Sequence, residues 1–377
     1  MRSLEKDVYI TGIGVQSHWG NDPHMFWDKT TEITSDVTNI DYYKILRVIA
    51  KGKARFSDIK KNKGILERIV ILGKDSLKSC IDDWGNRQEG QKVALLVGSG
   101  LGLSDTPNMQ TLDEKILSSL GQEIAESVQY PFDKVIYIGN ACCAGSQAIA
   151  YGMQLLMHNC YDVVIAGGID AFSADASAGF MRLHAIDYEG CKPFDHYRKG
   201  ISIGEGACFF ALERKKSLLH NYGILKASNT TNDAFHVVQM NPNGKQIKSA
   251  ILGVLARAAC EPKDVDLIVA HGTGTIVNDK VEANVIKDIF NGYDYRVTSI
   301  KGKIGHTGGG SGAFGLLTAI GAMNTGMIPA IANLKERDPD CEILTVKGKS
   351  ERREVSIALI NAFAFGGTNV CLLLQKI

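Results

Sequence analysis

The feature of the sequence that most limits the possible folds is an alternation of short Val/Ile-rich runs with longer helical patterns. The apolar runs predict buried strands over 8–13, 93–97, 135–138, 163–166, 207–212, 267–270, 297–300, 328–334, 355–360 and 370–374. Apolar residues at helical spacing predict helices over 66–84, 146–160, 245–259, 280–290 and 312–324. Strands that feed into helices in this way predict an α/β fold with covered sheets, and the last two strands are expected to form a hairpin.

The length of the chain indicates two structural units. At 377 residues it is longer than one ordinary domain needs, yet no proline-rich linker, charge block or low-complexity segment divides it. The weakest boundary follows the charged residues 213–216. We therefore expect two halves of one compact unit, residues 1–222 and residues 223–377.

Charge and cysteine usage exclude several classes of protein. The 42 Lys and Arg residues nearly balance the 41 Asp and Glu residues, which argues against a chain that coats nucleic acid or anionic lipid. Nine cysteines without a CxxC pair, and histidines without an HExxH pair, predict neither a disulfide framework nor a metal site. Since the first residues also lack the apolar core of a signal peptide, a reducing cytoplasm is expected.

One stretch resembles a membrane span in length only. Residues 304–334 contain no Asp, Glu, Lys or Arg, and that length could cross a bilayer. His306, a run of glycines, Asn324 and Pro329 interrupt it. The stretch is therefore interpreted as a buried loop, helix and strand.

The densest chemical signal is a strand that runs into GNACCAG and then into a helix, within residues 134–156. A cysteine at this turn lies at the positive end of a helix, where a thiolate is favoured, and the small residues around it allow a substrate to approach. This is the arrangement of a nucleophile. The alternative is a buried structural cysteine, and this segment alone does not decide between the two.

Two histidines follow strand ends in the same manner. His271 leads into GTGT, with Asp279 and Glu282 opening the next helix, and His306 follows Lys301 by five residues in a glycine-rich loop. Ligands usually bind at the carboxyl ends of strands in α/β sheets. The alternatives are a threonine-capped turn for the first segment, and a phosphate-binding loop or a packed helix start for the second. The motif of a P-loop is absent.

Taken together, these segments indicate thioester chemistry. A cysteine can accept an acyl group, and two neutral imidazoles can donate hydrogen bonds to the oxygen of an enolate. A further turn between two strands, residues 360–370, exposes backbone amides at Gly366 and Gly367. No metal or redox cofactor is needed for this chemistry.

The same motifs resemble those of the β-ketoacyl-acyl carrier protein synthases, the elongating condensing enzymes of fatty-acid and polyketide pathways. The resemblance runs almost from end to end, through VYITGIGVQSHWGND with Trp27, NACCAG, AGGIDA, KPFDHYRKGISIGEGA, NDAFH, HGTGT, KGKIGH and NAFAFGGTN. It implies a thiolase-like fold of two pseudo-repeated halves in a five-layered αβαβα arrangement. It also implies decarboxylative condensation of an acyl thioester with a malonyl group.

The resemblance assigns the catalytic roles. Cys142 matches the acyl-accepting nucleophile, and Cys143 stands where the family has a small or hydroxyl residue and is expected to be a bystander. His271 and His306 match the pair that polarises the malonyl thioester. Lys301 matches the lysine that orients them and adds positive field. Two histidines also distinguish this branch from initiating synthases and degradative thiolases.

The resemblance assigns supporting roles as well. Glu282 is expected to be a structural partner of the histidine region. Phe365 matches a gating phenylalanine, and its backbone amide, with that of Cys142, would form the oxyanion hole. Thr273 and Thr275 match residues that hydrogen-bond the pantetheine arm.

The implied partner is an acyl carrier protein, which presents its substrates on phosphopantetheine, so no free cofactor is expected. Related enzymes are usually homodimers, although a heterodimer with a related chain is an alternative. Because related carriers are acidic, a local basic patch is expected, which Lys60, Lys61, Lys63 and Arg68, or Arg198 and Lys199, could supply. For any one of these residues, an ordinary solvated charge is the favoured alternative.

Three departures from the family pattern concern the substrate. Residues 101–130 and 185–191 are shorter than the family pattern, and Ile276 replaces a common proline. These departures favour a specialised synthase of a secondary-metabolite pathway. Two other functions stay open, an acyltransferase that passes the acyl group from Cys142 to another acceptor and a non-catalytic partner subunit of a heteromeric synthase.

Overall fold

The computed structural model describes residues 7–32, 65–85, 89–100 and 114–377. Its principal helices are α1 Pro23–Thr31, α2 Ile65–Trp84, α3 Glu114–Ser127, α4 Ala144–Met157, α5 Ala174–Arg182, α6 Lys245–Arg257, α7 Ile276–Phe290, α8 Lys301–Ile304 and α9 Ser311–Thr325. Its strands are β1 Val8–Gln16, β2 Val93–Ser99, β3 Lys134–Gly139, β4 Val163–Asp170, β5 Gly206–Glu213, β6 Gly223–Asn232, β7 Leu267–Val269, β8 Arg296–Thr298, β9 Met327–Ile328, β10 Glu351–Arg352, β11 Ile357–Phe363 and β12 Thr368–Gln375.

The sheet topology is duplicated. Within the described ranges, ten strands pair in the order β3-β2-β4-β5-β1-β6-β12-β11-β7-β8. In the first half β3, β2 and β4 are parallel to one another, β5 is antiparallel to β4, and β1 is antiparallel to β5. In the second half β8, β7 and β11 are parallel to one another, β12 is antiparallel to β11, and β6 is antiparallel to β12. When the five strands that each half contributes to this sheet are numbered in chain order, both halves have the order 3-2-4-5-1. Strands β9 and β10 form a separate pair and are not counted. The halves meet where β1 pairs with β6.

Five layers follow from the faces of these strands. In β4, Ala166 faces a central apolar cluster and Ile165 faces an outer one. In β11, Ile360 faces the same central cluster and Leu359 faces a second outer cluster. Helices α4 and α9 fill the central cluster, α2 and α3 cover one outer face, and α6 and α7 cover the other. The predicted αβαβα arrangement is thus observed.

The strands predicted from apolar runs are confirmed, with one correction. The run 328–334 is strand only at β9, because Pro329 has no N–H to donate to a ladder and Asn333 adopts a left-handed φ of 64°. The predicted hairpin is confirmed, since β11 pairs with β12 in antiparallel register. Strand β6 was not predicted, because its side chains alternate between buried and partly exposed instead of forming an apolar run.

Helix α1 connects the start of the chain to the second half. The indole Nε1 of Trp27 donates to the carbonyl of Leu317 in α9 at 2.9 Å. Lys303 in α8 is 4% exposed, and its ammonium donates to the carbonyls of Thr30, at 2.6 Å, and Glu32 at the end of α1. These contacts anchor the short helix α8, which begins with one of the predicted site residues.

The charge-free stretch 304–334 is a tight turn, a helix and a short strand, with α9 buried over almost its whole length. None of the helices in the described part of the chain is long and apolar enough to cross a membrane. Residues 101–113, which belong to the shortened region, lie outside the described residues, as do Lys60, Lys61 and Lys63.

Candidate active site

The predicted site residues lie at the carboxyl ends of the parallel strands of both halves. Cys142 follows β3 in a turn, Ala141–Cys143, that leads into α4. His271 follows β7, and Phe365 follows β11. Because α4 and the turn 308–310 before α9 pack together at the centre, the duplicated topology brings these strand ends to one place.

The nucleophile turn is strained and densely packed. Ala141 has a left-handed φ of 40°, which a non-glycine residue adopts at a cost of about 1 kcal/mol or more. A Cβ on Gly145 would lie 2.5 Å from the carbonyl oxygen of Gly309. The glycines of the two segments therefore allow the nucleophile turn and the turn 308–310 to touch through their backbones.

The two neighbouring cysteines have different environments. Cys142 is partly exposed, whereas Cys143 is fully buried. The thiol of Cys143 donates to the carbonyls of Ala362, at 3.0 Å, and Thr368, at 3.2 Å. Cys143 therefore packs against β11 and β12, and only Cys142 is open to a substrate.

Two backbone N–H groups lie near the sulfur of Cys142 and lower its pKa. They are the N–H groups of Cys142 itself and of Phe365. Gly366, with a φ of 82°, shapes the turn that presents the second amide, and its own N–H donates to the carbonyl of Val237 at 2.7 Å. The ring of Phe365 is 38% exposed and lies 5.6 Å from that of Phe180. A thioester carbonyl bonded to this sulfur would have both amides within reach.

The resting state of Cys142 differs from the prediction. Burial raises the pKa of this thiol to about 12, although Lys301 lowers it, and Asp170 raises it further. The expectation that the helix terminus favours a thiolate is therefore wrong, because the cost of burying the charge exceeds the stabilisation available at the end of the helix. The sulfur is a neutral thiol at neutral pH.

The loop of His271 is held by a carboxylate. Glu282 in α7 accepts the N–H groups of His271 and Gly272, both at 2.8 Å, and the amide of Asn361 at 3.1 Å. Burial raises the pKa of Glu282 to about 7, although these hydrogen bonds oppose the shift. The carboxyl group of Glu282 is fully buried and accepts two backbone N–H groups of the His271 loop.

Lys301 joins the two histidine segments. It is 6% exposed, and its ammonium donates to the carbonyl of His271 and lies 3.5 Å from the Nδ1 atom of that residue. Burial lowers the pKa of Lys301, while the nearby Glu282 opposes the shift. Lys301 therefore contacts both the backbone and the ring of His271 and places positive charge near Cys142.

Hydrogen bonds also determine the tautomer of His306. Its Nδ1 atom accepts the N–H of Gly308 at 3.1 Å and lies 2.9 Å from the hydroxyl of Ser311. A neutral ring that accepts at Nδ1 carries its proton on Nε2. The rings of His271 and His306 are 5.6 Å apart and nearly perpendicular.

Both imidazoles are neutral. Burial lowers the pKa of His306 to about 3, and the positive charge of Lys301 contributes. Burial, Lys301 and His306 lower the pKa of His271 well below its usual range. The site thus holds two imidazoles that can donate hydrogen bonds without carrying a charge.

A pH-dependent stability follows for His306. In the unfolded state the imidazole takes up a proton near its ordinary pKa of 6.5, whereas in the folded state the pKa is about 3, so acid favours unfolding between these values. We expect the free energy of unfolding of the wild type, relative to that of His306→Gln, to fall by about 2 kcal/mol between pH 7 and pH 5. Urea unfolding at the two pH values measures it, with His158→Gln on the surface as a control. Identical pH dependence in the wild type and His306→Gln would contradict a buried neutral imidazole.

The two predicted pantetheine contacts lie beside His271. The hydroxyls of Thr273 and Thr275 are 2.9 Å apart, and the N–H of Thr273 donates to Asp279 at 3.0 Å. Thr273 is 5% exposed and Thr275 is partly exposed. The sequence singled out Asp279 without a role, and the structure shows that it is fully buried and holds the GTGT loop.

One expectation about a basic patch is wrong. Arg198 is 4% exposed and donates to Asp338 and, at 3.1 Å, to the carbonyl of Ile276, so it is not available on the surface. Arg68 pairs with Glu205, its Nε donating at 2.6 Å. Of these described residues, Lys199 keeps most of its side chain exposed.

The part of the chain that the structure describes contains no cluster of His, Cys, Asp and Glu suited to hold a metal ion. Its reactive groups are a partly exposed thiol, two backbone amides and two neutral imidazoles beside a buried ammonium. On an α/β fold with duplicated sheets, this set defines a thiol-dependent acyl-transferring enzyme.

Comparisons with known proteins agree with this class. Family models of the N-terminal and C-terminal domains of β-ketoacyl synthases match residues 5–217 and 222–335. The chain belongs to the β-ketoacyl synthase family.

Relatives match over their full length. The 3-oxoacyl-[acyl-carrier-protein] synthase 2 of Synechocystis sp. (strain ATCC 27184 / PCC 6803 / Kazusa) is 28% identical, covering 100% of both chains. Nodulation protein E of Rhizobium meliloti (strain 1021) is 32% identical, covering 99% of this chain and 100% of the relative. The solved structure of the ishigamide ketosynthase/chain length factor superposes with a TM-score of 0.83 at 26% identity, covering 98% of this chain and 99% of that chain. The thiolase-like fold is confirmed.

Proposed function

We propose that this protein is a β-ketoacyl-acyl carrier protein synthase in which Cys142 accepts the acyl group and His271 and His306 drive the decarboxylative condensation with malonyl-acyl carrier protein. The observation that carries the assignment is the arrangement around Cys142. Two backbone N–H groups lie near its sulfur. The second half of the fold brings both neutral histidine rings to within 5.6 Å of each other at the same end of the sheet.

The first step transfers the acyl group to Cys142. Its sulfur attacks the thioester carbonyl, the carrier's pantetheine sulfur leaves, and the thiol proton moves to that leaving group. The amides of Cys142 and Phe365 stabilise the oxyanion of the tetrahedral intermediate. Because the resting thiol is neutral, the proton must leave during the transfer.

The second step produces the carbon nucleophile. The bond between the malonyl carboxylate and its α-carbon breaks, carbon dioxide leaves, and the electron pair forms an enolate of the thioester. Nε2–H of His306 donates to the enolate oxygen, as does Nε2–H of His271, whose Nδ1 faces the ammonium of Lys301. Neutral donors suit this step, since they stabilise the oxyanion without protonating the carbon that must react.

The third step forms the carbon–carbon bond. The enolate attacks the acyl carbonyl on Cys142, and the bond to sulfur breaks with the electron pair on sulfur. The β-ketoacyl thioester leaves on its carrier, and the thiolate takes up one proton from water to regenerate the thiol. The reaction needs no free cofactor, because both acyl groups arrive on the phosphopantetheine arm of an acyl carrier protein. Thr273 and Thr275 lie beside His271, where they can hydrogen-bond that arm.

The assembly and organisation follow the family. The partner is an acyl carrier protein, and the functional unit is a dimer, either of two copies or with a related chain. We place the boundary of the two halves at residue 222, supported by the duplicated strand order on either side of it. Nine free cysteines support the cytoplasm as the compartment.

A single-turnover experiment tests the reaction. Enzyme acylated on Cys142 is mixed with malonyl-carrier, and carbon dioxide release and enzyme mass are followed together. We expect one carbon dioxide for each acyl group discharged. Discharge to an amine or alcohol without carbon dioxide would instead show an acyltransferase. If the protein, assayed by itself with acyl donors of every chain length, neither becomes acylated nor releases carbon dioxide, the proposal is contradicted and a partner subunit is favoured.

A further inference from the structure

A buried carboxylate that the reaction does not use lies under the nucleophile turn. Asp170 is the last residue of β4 and is fully buried, at the end of a strand whose other side chains are apolar or glycine. A buried charge is costly unless hydrogen bonds compensate for it. Its contacts therefore indicate what the site gains from it.

Asp170 accepts hydrogen bonds from both halves of the fold. Its Oδ1 atom accepts the hydroxyl of Ser99 at 2.6 Å, and its Oδ2 atom accepts the N–H of Gly100 at 2.9 Å, both at the end of β2. The same Oδ2 atom also accepts the N–H of Gly309, three residues after His306. One carboxylate oxygen thus connects the two halves.

Of the two glycines that donate to Asp170, Gly100 touches the nucleophile turn and Gly309 touches the start of α4 directly after it. A Cβ on Gly100 would lie 2.5 Å from the carbonyl oxygen of Ala141, so the backbones are in direct contact there. The carbonyl of Gly309 packs in the same way against Gly145. Asp170 therefore determines the distance between the turn that carries Cys142 and the loop that carries His306.

The carboxylate also acts at the sulfur through its charge. In the described part of the chain, the charged and titratable groups that act on Cys142 are the ammonium of Lys301 from α8, the carboxylate of Asp170 from β4 and the thiol of Cys143 in its own turn. Burial and, to a smaller extent, Asp170 raise the pKa of Cys142, against Lys301. Asp170 and Lys301 thus have opposite effects on formation of the thiolate.

We propose that Asp170 is a positioning residue of the condensing site, whose carboxylate joins the turn of Cys142 to the loop of His306. Its buried negative charge also acts on the thiol of Cys142. The inference deepens the proposed function and rests on it for the part that concerns condensation. The part that concerns the thiol does not require any substrate.

The test measures alkylation of Cys142 by iodoacetamide from pH 6 to pH 10, with the modified peptide identified by mass. In Asp170→Asn the pH profile of alkylation is expected to move to lower pH, because a negative charge beside the thiol has been removed. Alkylation at pH 8 is expected to be about three- to tenfold faster than in the wild type. Asp187→Asn is the matched control, because Asp187 is also buried and hydrogen-bonded but lies outside the site. A profile that coincides with that of the wild type, or that moves equally in Asp187→Asn, would overturn the inference.

Condensation provides the second readout. Asp170→Asn is expected to lose at least tenfold in condensation rate while its thiol alkylates faster. Because a general loss of structure would also expose the thiol, alkylation of the fully buried Cys208 is followed in the same digest and is expected to stay as slow as in the wild type. Should Asp170→Asn fail to fold, Asp170→Glu keeps the charge on a longer chain. It is expected to retain the alkylation profile and lose condensation, and a changed profile would overturn the inference. A wild type that alkylates normally but does not condense would contradict the proposed function instead.

Discussion

Replacing Cys142 with alanine is expected to abolish acyl-enzyme formation, whereas Cys143→Ala is expected to retain most of it. Cys142 is partly exposed, and the backbone N–H groups of Cys142 and Phe365 lie near its sulfur. The thiol of Cys143 instead contacts the buried carbonyl of Ala362. Intact-mass measurement after incubation with acyl-carrier shows the acylated fraction directly. The loss in Cys142→Ala should be complete within detection, because no other thiol has this environment in the described residues.

The neighbouring cysteine is the matched control for this prediction. Cys143→Ala removes a buried thiol and two hydrogen bonds, and it is expected to lower the free energy of unfolding by about 1 to 2 kcal/mol. Its acylation should nevertheless continue below the unfolding temperature. Equal loss of acylation in both variants, with both folded, would refute the assignment of the nucleophile.

His306→Ala is expected to keep acylation of Cys142 and to lose decarboxylation by about 10²- to 10³-fold, the usual cost of removing one donor to a developing oxyanion. In the proposed mechanism, its Nε2–H donates to the enolate oxygen in the second step, whereas the first step uses the backbone amides. Carbon dioxide release from malonyl-carrier and the mass of the acyl-enzyme are measured on the same sample.

A surface histidine provides the comparison. His158→Ala removes an imidazole that is exposed at the end of α4, and both half-reactions should continue at the wild-type rate. If His306→Ala releases carbon dioxide as fast as His158→Ala does, the role of His306 is wrong. Parallel loss of acylation and decarboxylation would mean that His306 supports the structure of the site rather than the second step alone.

Much of the fold is predictable because its strands are buried on both faces. β2, β4 and β5 lie beneath helices on either side, so they appear in the sequence as continuous apolar runs. β6 lies equally deep in the sheet order, yet its polar end and alternating burial conceal it. The duplicated strand order is not visible in the sequence, since it depends on pairing between segments far apart in the chain.

The site shows a similar division. Cys142, His271 and His306 can be singled out in the sequence because each follows a strand end beside small residues, and the structure places their loops at one end of the sheet. The protonation state of Cys142 is not predictable in this way, because burial depends on everything packed around the turn. Asp170 lies within the quoted AGGIDA motif, and a carboxylate at the end of an apolar strand is a signal that could have identified it.

The measurement that tests the central claim most directly is the intact mass of the carrier protein after incubation with enzyme, a short acyl-carrier and malonyl-carrier. We predict that the wild type produces a β-ketoacyl-carrier whose acyl chain is two carbons longer than that of the donor. The Cys142→Ala variant is expected to produce none. Acyl-enzyme that accumulates on Cys142 without any elongated carrier would contradict the claim that this protein condenses its two substrates.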